Sequence, residues 1–117
     1  MTAIGNDEGY DQIFQKQLEV LFNDGDILVA ISASGNSPNI MKAIEYVKSK
    51  NGYVVGLTGF DGGKLKQASD LSIHLDTPKG EYGPVEDFHM IVDHLVGTYL
   101  RLHTFNRAVS SSKCNTF

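Results

Sequence analysis

The stretch from Ile27 to Gly59, ILVAISASGNSPNIMKAIEYVKSKNGYVVGLTG, changes its hydrophobic period twice, and those changes decide the fold. Its opening, DILVAIS from Asp26, is too short and too uniformly apolar for a surface helix; it has the pattern of a parallel strand covered on both faces. From Ser37 to Lys50 the residues Ile40, Ala43, Ile44 and Val47 fall on one helical face, and GYVVGLTG from Gly52 is again an apolar run of strand length. The alternation continues downstream, where DGGKLKQASD from Asp61 reads as a short helix and LSIHL from Leu71 as a third strand. Strand, helix, strand, helix, strand predicts an α/β fold with a doubly wound parallel sheet.

Upstream, Asp11 to Phe22 carries Ile13, Phe14, Leu18 and Leu21 at mostly helical spacing, and NDGD supplies a stop and a turn. Beyond DTPKGEYGP, whose glycines and prolines mark a loop, Val85 to about Phe105 is the longest predicted helix, with Pro84 placed for its first turn. Residues from 106 on are polar, include the only cysteine, Cys114, and are expected to form a flexible tail. Only about three strands are legible, where a doubly wound sheet commonly has about five, so the sheet is expected to be incomplete. Its exposed edges would need cover from another chain or segment, which predicts self-association.

With 117 residues, 41% hydrophobic, the chain has the size and composition of one domain or part of one. Ten basic residues against 14 acidic give a net charge of −4 with no basic cluster, which argues against nucleic acid as partner. One cysteine cannot make an internal disulfide or a cysteine zinc cluster, and fits a reducing cytoplasm. MTAIGNDEGY lacks the features of a secretion signal, and no apolar run reaches the ~20 residues of a membrane span, so a soluble, cytoplasmic protein is expected.

The loop SASGNS, Ser32 to Ser37, ends the first strand and opens the next helix, the position where parallel sheets bind ligands. Free N–H groups of that helix's first turn carry partial positive charge, and the hydroxyls of Ser32, Ser34 and Ser37 can donate to phosphate oxygens. Gly35 lets the backbone approach closely. There is no GKS or GKT and no lysine in the loop, which separates it from a nucleotide-binding P-loop. Taken by itself, the pattern is equally that of an ordinary N-cap at Ser37, with Pro38 at the first helical position.

ISASGNSPNIMKAIEYVKSKNGYVVGLTGFDGGKLKQASDLSIHL resembles the core of the sugar isomerase (SIS) domain, in particular its phosphoheptose isomerase branch. IGNDEGYDQIF and EYGPVEDFHMIVDHLVGTYL resemble the branch's segment before the core and its terminal helix. The resemblance implies a flavodoxin-like fold. It implies a sugar phosphate held by Ser32, Ser34 and Ser37, with Ala33, Gly35 and Asn36 in backbone or supporting contacts and Asn6, Asp7 and Thr58 near the ligand. It also implies that the family's N-terminal helices, first strands, GNGGS-like loop and catalytic glutamate have no counterpart here, so residues 1–105 match a partial domain and 106–117 a tail.

Moving a proton between neighbouring carbons of a ketose and an aldose, through an enediol, needs an acid and a base. Of the four histidines, His74 lies in a predicted strand, His103 near a helix end, and His89 and His94 within the last helix. A helical histidine is more often structural; the resemblance singles out His94 as the acid/base group. Glu86, eight residues earlier, lies ~80° round the helix and ~12 Å along it, near enough to border one pocket. Glu86 stands where the resemblance leads one to expect glutamine, and Gly83 where it leads one to expect an acid, so the sugar end of the pocket is expected to differ. No cofactor is required. The resemblance allows a zinc ion near His94 and Glu86 with further ligands on the absent segment; Glu86, His89 and Asp93 alone lack an HExxH pattern and read as a solvated face. The expected function is sugar-phosphate binding in an aldose–ketose isomerase acting on a sedoheptulose 7-phosphate-like substrate. The alternative is a non-catalytic module that senses a sugar phosphate or docks a protein.

Overall fold

The computed structural model describes the backbone of residues 1–113 and the side chains of residues 1–104. The chain divides into two compact units, Met1–Glu86 and Asp87–Phe117.

The first unit begins with α1 (Thr2–Asp7), a 3-10 turn (Tyr10–Gln12) and α2 (Ile13–Leu21). It then alternates β1 (Ile27–Ser32), α3 (Pro38–Ser49), β2 (Tyr53–Thr58), α4 (Gly63–Ala68) and β3 (Leu71–His74). The three strands form one parallel sheet in the order β1-β2-β3, with Ile27 opposite Tyr53, Ser32 opposite Thr58, and Thr58 opposite His74. Both crossovers advance in the same direction, so their right-handedness places α3 and α4 on the same face of the sheet. On that face Ala30, Ile44, Val47, Val54 and Leu65 form the buried core, and Leu18, Phe22, Leu28 and Ile40 pack against it. Val47, Val54 and Leu65 are fully buried, each contributing about 1.5–3 kcal/mol of transfer free energy.

Asp70 ties this arrangement together at the entry to β3. One carboxylate oxygen accepts from the Val54 N–H at 2.7 Å and the other from Lys48 Nζ at 2.5 Å. The Lys48 hydrogen bond first, and the backbone bond second, hold the Asp70 carboxyl below the usual carboxylate range.

The opposite face departs from expectation. Ile27, Val29 and Ile31 point to one side of β1 and are 61%, 55% and 48% exposed, and Tyr53 and Leu71 on the same side of their strands are exposed too. The strand read as covered on both faces is covered on one, because within the first unit every crossover helix lies on the other side.

The second unit is carried by α5, whose full span is Tyr82–Lys113, earlier in its start and longer than the predicted Val85 to Phe105; Pro84 lies in its first turn. The tail expected at 106–117, Cys114 included, falls on residues whose side chains lie outside the described ones. Among the described residues no helix is long and apolar enough to cross a membrane.

Candidate phosphate-binding site

The loop between β1 and α3 is fixed in place by the loop between β2 and α4. Gly35 adopts φ +63°, and a methyl group there would collide with the backbone carbonyl of Gly62. The backbone N–H of Gly35 donates to the carbonyl oxygen and to Oγ of Ser32, both at 3.1 Å. Its carbonyl accepts from the Leu65 N–H at 2.9 Å, and the Gly59 N–H donates to the Ala33 carbonyl at 2.9 Å. Asn36 completes the clamp: its Nδ2 donates to the Ser34 carbonyl at 2.9 Å and its Oδ1 accepts from the Lys64 N–H at 3.2 Å. Each end of the Asn36 amide is engaged once, which leaves one Nδ2 N–H and one Oδ1 lone pair.

Other polar groups of the loop are unspent. Ser37 occupies the N-cap position of α3, with Pro38 following, yet its hydroxyl makes no capping hydrogen bond. Instead its Oγ lies 3.3 Å from Ser32 Oγ. The N–H groups of Ser34, Ser37 and Asn39 donate to no protein acceptor among the described residues. In the first turn of this 12-residue helix Pro38 has no N–H, and the Ile40 N–H is spent on Asn39 Oδ1 and the Ser37 carbonyl. The Asn39 N–H is thus the free donor at the positive end of the dipole, joined by the N–H groups of Ser34 and Ser37 and bordered by three serine hydroxyls. That arrangement stabilises a phosphate dianion through backbone donors without a lysine.

The remaining candidates separate. Thr58, opposite Ser32 in the ladder, is fully buried and its Oγ1 lies 2.9 Å from His74 Nδ1, tying β2 to β3. Asn6 and Asp7 lie on exposed α1, where Asn6 Nδ2 donates to Asp7 Oδ1 at 2.8 Å. Glu86 closes the first unit and His94 belongs to the second; both are exposed, and His94 lines a shallow depression with Asp93, Thr98 and Arg101. His89 is 7% exposed, and its Nε2 meets no hydrogen-bond partner among the described residues. No group of three or more His, Cys, Asp or Glu gathers into a metal-binding arrangement among the described residues, so Glu86, His89 and Asp93 do not fit a zinc ion by themselves.

Sequence reasoning missed a cavity of ≈ 230 Å³ that opens beside Ser34 and Asn36, between Phe60–Asp61 after β2 and Asp76–Lys79 after β3. In the sequence Asp61 opens the stretch that reads as a short helix, and Asp76–Lys79 belong to the stretch that reads as a loop. The available signal was topological, since both segments follow the carboxyl ends of parallel strands.

Residues 1–59 match the family model of the SIS domain, and the chain belongs to the SIS domain family. Within it, the chain is similar to phosphoheptose isomerases. It is 44% identical to that of Rhodospirillum rubrum over 96 residues, covering 82% of this chain and 50% of the relative, and 40% identical to that of Aliarcobacter butzleri over the same shares. Among solved structures it resembles phosphoheptose isomerase GmhA from Neisseria gonorrhoeae, with a TM-score of 0.72, 39% identity, and coverage of 80% of this chain and 52% of that one. A phosphoheptose isomerase from Francisella tularensis gives a TM-score of 0.71 at 37% identity, covering 80% of this chain and 50% of that one. The chain spans about half the length of the curated relatives it matches.

Proposed function

We propose that this chain supplies the phosphate-binding part of an aldose–ketose isomerase acting on a ketose phosphate of the sedoheptulose 7-phosphate type. The observation that carries the proposal is Ser37, which sits at an N-cap and does not cap its helix, leaving its hydroxyl and the Asn39 N–H available to an anion. The similarity to phosphoheptose isomerases supports the choice of sugar phosphate as that anion.

In the reaction a proton moves between two neighbouring carbons through an enediol, and general acid–base groups suffice without a cofactor. The serine loop holds the phosphate and thereby restricts the motion of the reacting carbons. His94, exposed on α5, takes the role of proton carrier, and exposed Glu86 borders the sugar. The same proposal has the protein act in the cytoplasm as a homo-oligomer; the exposed apolar residues of β1 support self-association, and the net charge of −4 supports a small phosphorylated sugar over nucleic acid as ligand.

Calorimetric titration with sedoheptulose 7-phosphate tests the proposal. Ser34→Ala and Ser37→Ala each weaken binding by about 1–3 kcal/mol, since each removes a donor from a charged phosphate oxygen. Unchanged affinity in both variants would place the phosphate elsewhere, and binding without turnover in a form spanning the relatives' full length would favour a sensing module over an enzyme.

A further inference from the structure

We propose that Asn51 is a site of spontaneous deamidation, and that the turn closing α3 sets the rate at which the folded chain undergoes it. The inference is independent of the phosphate reading. It concerns the junction of α3 with the start of β2, whereas the serine loop follows the end of β1.

The reaction needs an asparagine whose side-chain amide carbon can be reached by the backbone nitrogen of the next residue. That nitrogen, deprotonated, attacks Cγ; a C–N bond forms, the Cγ–Nδ2 bond breaks and ammonia leaves, giving a five-membered succinimide. Water then opens the ring at either carbonyl to aspartate or isoaspartate. One water is consumed for each ammonia released, and nothing is oxidised or reduced. A side chain on the following residue crowds the attack, so glycine is the most permissive successor. Asn6, Asn23, Asn36, Asn39 and Asn51 are the asparagines whose side chains are described, and of these Asn51 alone precedes a glycine. It is exposed, and its amide makes no hydrogen bond among the described residues.

The fold itself calls for this pair of residues. α3 ends in a Schellman turn, in which the Asn51 N–H donates to the Lys48 carbonyl at 3.0 Å and the Gly52 N–H to the Val47 carbonyl at 2.9 Å. Asn51 holds φ +57°, in the left-handed region that asparagine enters more readily than other residues with a side chain. At position 52 a Cβ would come within 2.5 Å of both Phe22 Cζ and Val47 Cγ1, and Val47 is fully buried. Only glycine fits there. The geometry that ends the helix therefore selects the two residues that make the bond between them labile.

The same turn restrains the reaction. Its nucleophile is the Gly52 nitrogen, whose proton is held by Val47 and whose α-carbon packs against Phe22 and Val47. Attack requires that hydrogen bond to break and Asn51 to leave its left-handed conformation, so the reaction proceeds from the opened turn at a rate proportional to its population. Its product keeps the turn open. Isoaspartate carries the chain through its side-chain carbonyl, lengthening the backbone by a methylene, and leaves a carboxylate at the negative end of the α3 dipole. The Gly52 N–H then no longer meets Val47 in register, and Tyr53, which opens β2 opposite Ile27, loses its anchor.

The test ages the chain in warm neutral buffer, folded and in denaturing guanidinium chloride, and follows the mass gain for exchange of an amide for a carboxyl group. Peptide mapping places the change and separates isoaspartate from aspartate. The peptide holding Asn51 and Gly52 should convert in both states, at least about tenfold more slowly in the folded chain, the factor for an opening free energy of about 1.4 kcal/mol. Circular dichroism melting should show a lower midpoint for the aged chain than for the fresh one. Asn51→Gly keeps a residue suited to the left-handed turn and removes the reactive amide, so it should fold, gain no mass in this peptide, and keep its midpoint on ageing. No conversion at Asn51 in the folded chain overturns the site. Equal rates in the two states overturn the restraint by the turn, and an aged, converted chain that melts like the fresh one overturns the consequence for the fold.

Discussion

Gly35→Ala should unfold the phosphate loop without touching a single hydroxyl. At φ +63° an alanine costs about 1–2 kcal/mol from its own backbone. Its methyl would in addition meet the Gly62 carbonyl, which cannot swing aside like a flexible side chain because it belongs to the turn leading into α4. To make room the two loops must part, and three hydrogen bonds span them directly: Leu65 N–H to Gly35, Gly59 N–H to Ala33, and Lys64 N–H to Asn36. Losing even two of these, at about 0.5–1.5 kcal/mol each, brings the total to roughly 2–5 kcal/mol. For a domain near this size the midpoint of thermal unfolding should fall by about 10 °C or more. Sugar-phosphate binding should be lost even well below that temperature. Circular dichroism melting with parallel calorimetric titration reads both quantities. A variant that melts within about 2 °C of wild type would refute the inter-loop clamp as the device that shapes the site.

Leu65→Ala, at a fully buried position against β2, should destabilise the chain by about 2–5 kcal/mol in chemical denaturation while sparing the loop's donors. Asp70→Asn should destabilise near neutral pH, and the difference from wild type should shrink in acid. The folded carboxyl titrates below its ordinary value of 3.8, so its contribution is present above that value and is lost as pH falls through the lowered one. Denaturation curves at about pH 6 and about pH 3 check the sign. On the proposed function, His94→Gln in a form spanning the relatives' full length should lower turnover by about 10²–10⁴-fold and leave ligand affinity nearly intact, as read by a coupled assay beside calorimetry.

The sheet was legible because each strand is a short apolar run bounded by turn residues, and the serine loop because its composition sits at a strand-to-helix junction. Helix α3 began where Ser37 and Pro38 said it would. What Ser37 does there was not legible: an N-cap serine that caps and one that does not are the same letter, and only the 3.3 Å approach to Ser32 distinguishes them. Ile27, Val29 and Ile31 misled for a related reason, since an apolar run records what a strand is suited to meet and not what lies against it. The contact of the Thr58 hydroxyl with His74 in the adjoining strand also needed the register of β2 with β3. The Phe60–Lys79 cavity joins segments that no periodicity connects, and it required the register of β2 with β3 to be seen.

The central claim, that the uncapped start of α3 is a phosphate site, is tested most directly by amide NMR of the chain titrated with sedoheptulose 7-phosphate. The largest downfield shifts should fall on the N–H groups of Ser34, Ser37 and Asn39, the donors that meet no protein acceptor, and should vanish in Gly35→Ala. Saturable shifts confined to other residues, with those three amides unmoved, would contradict the account.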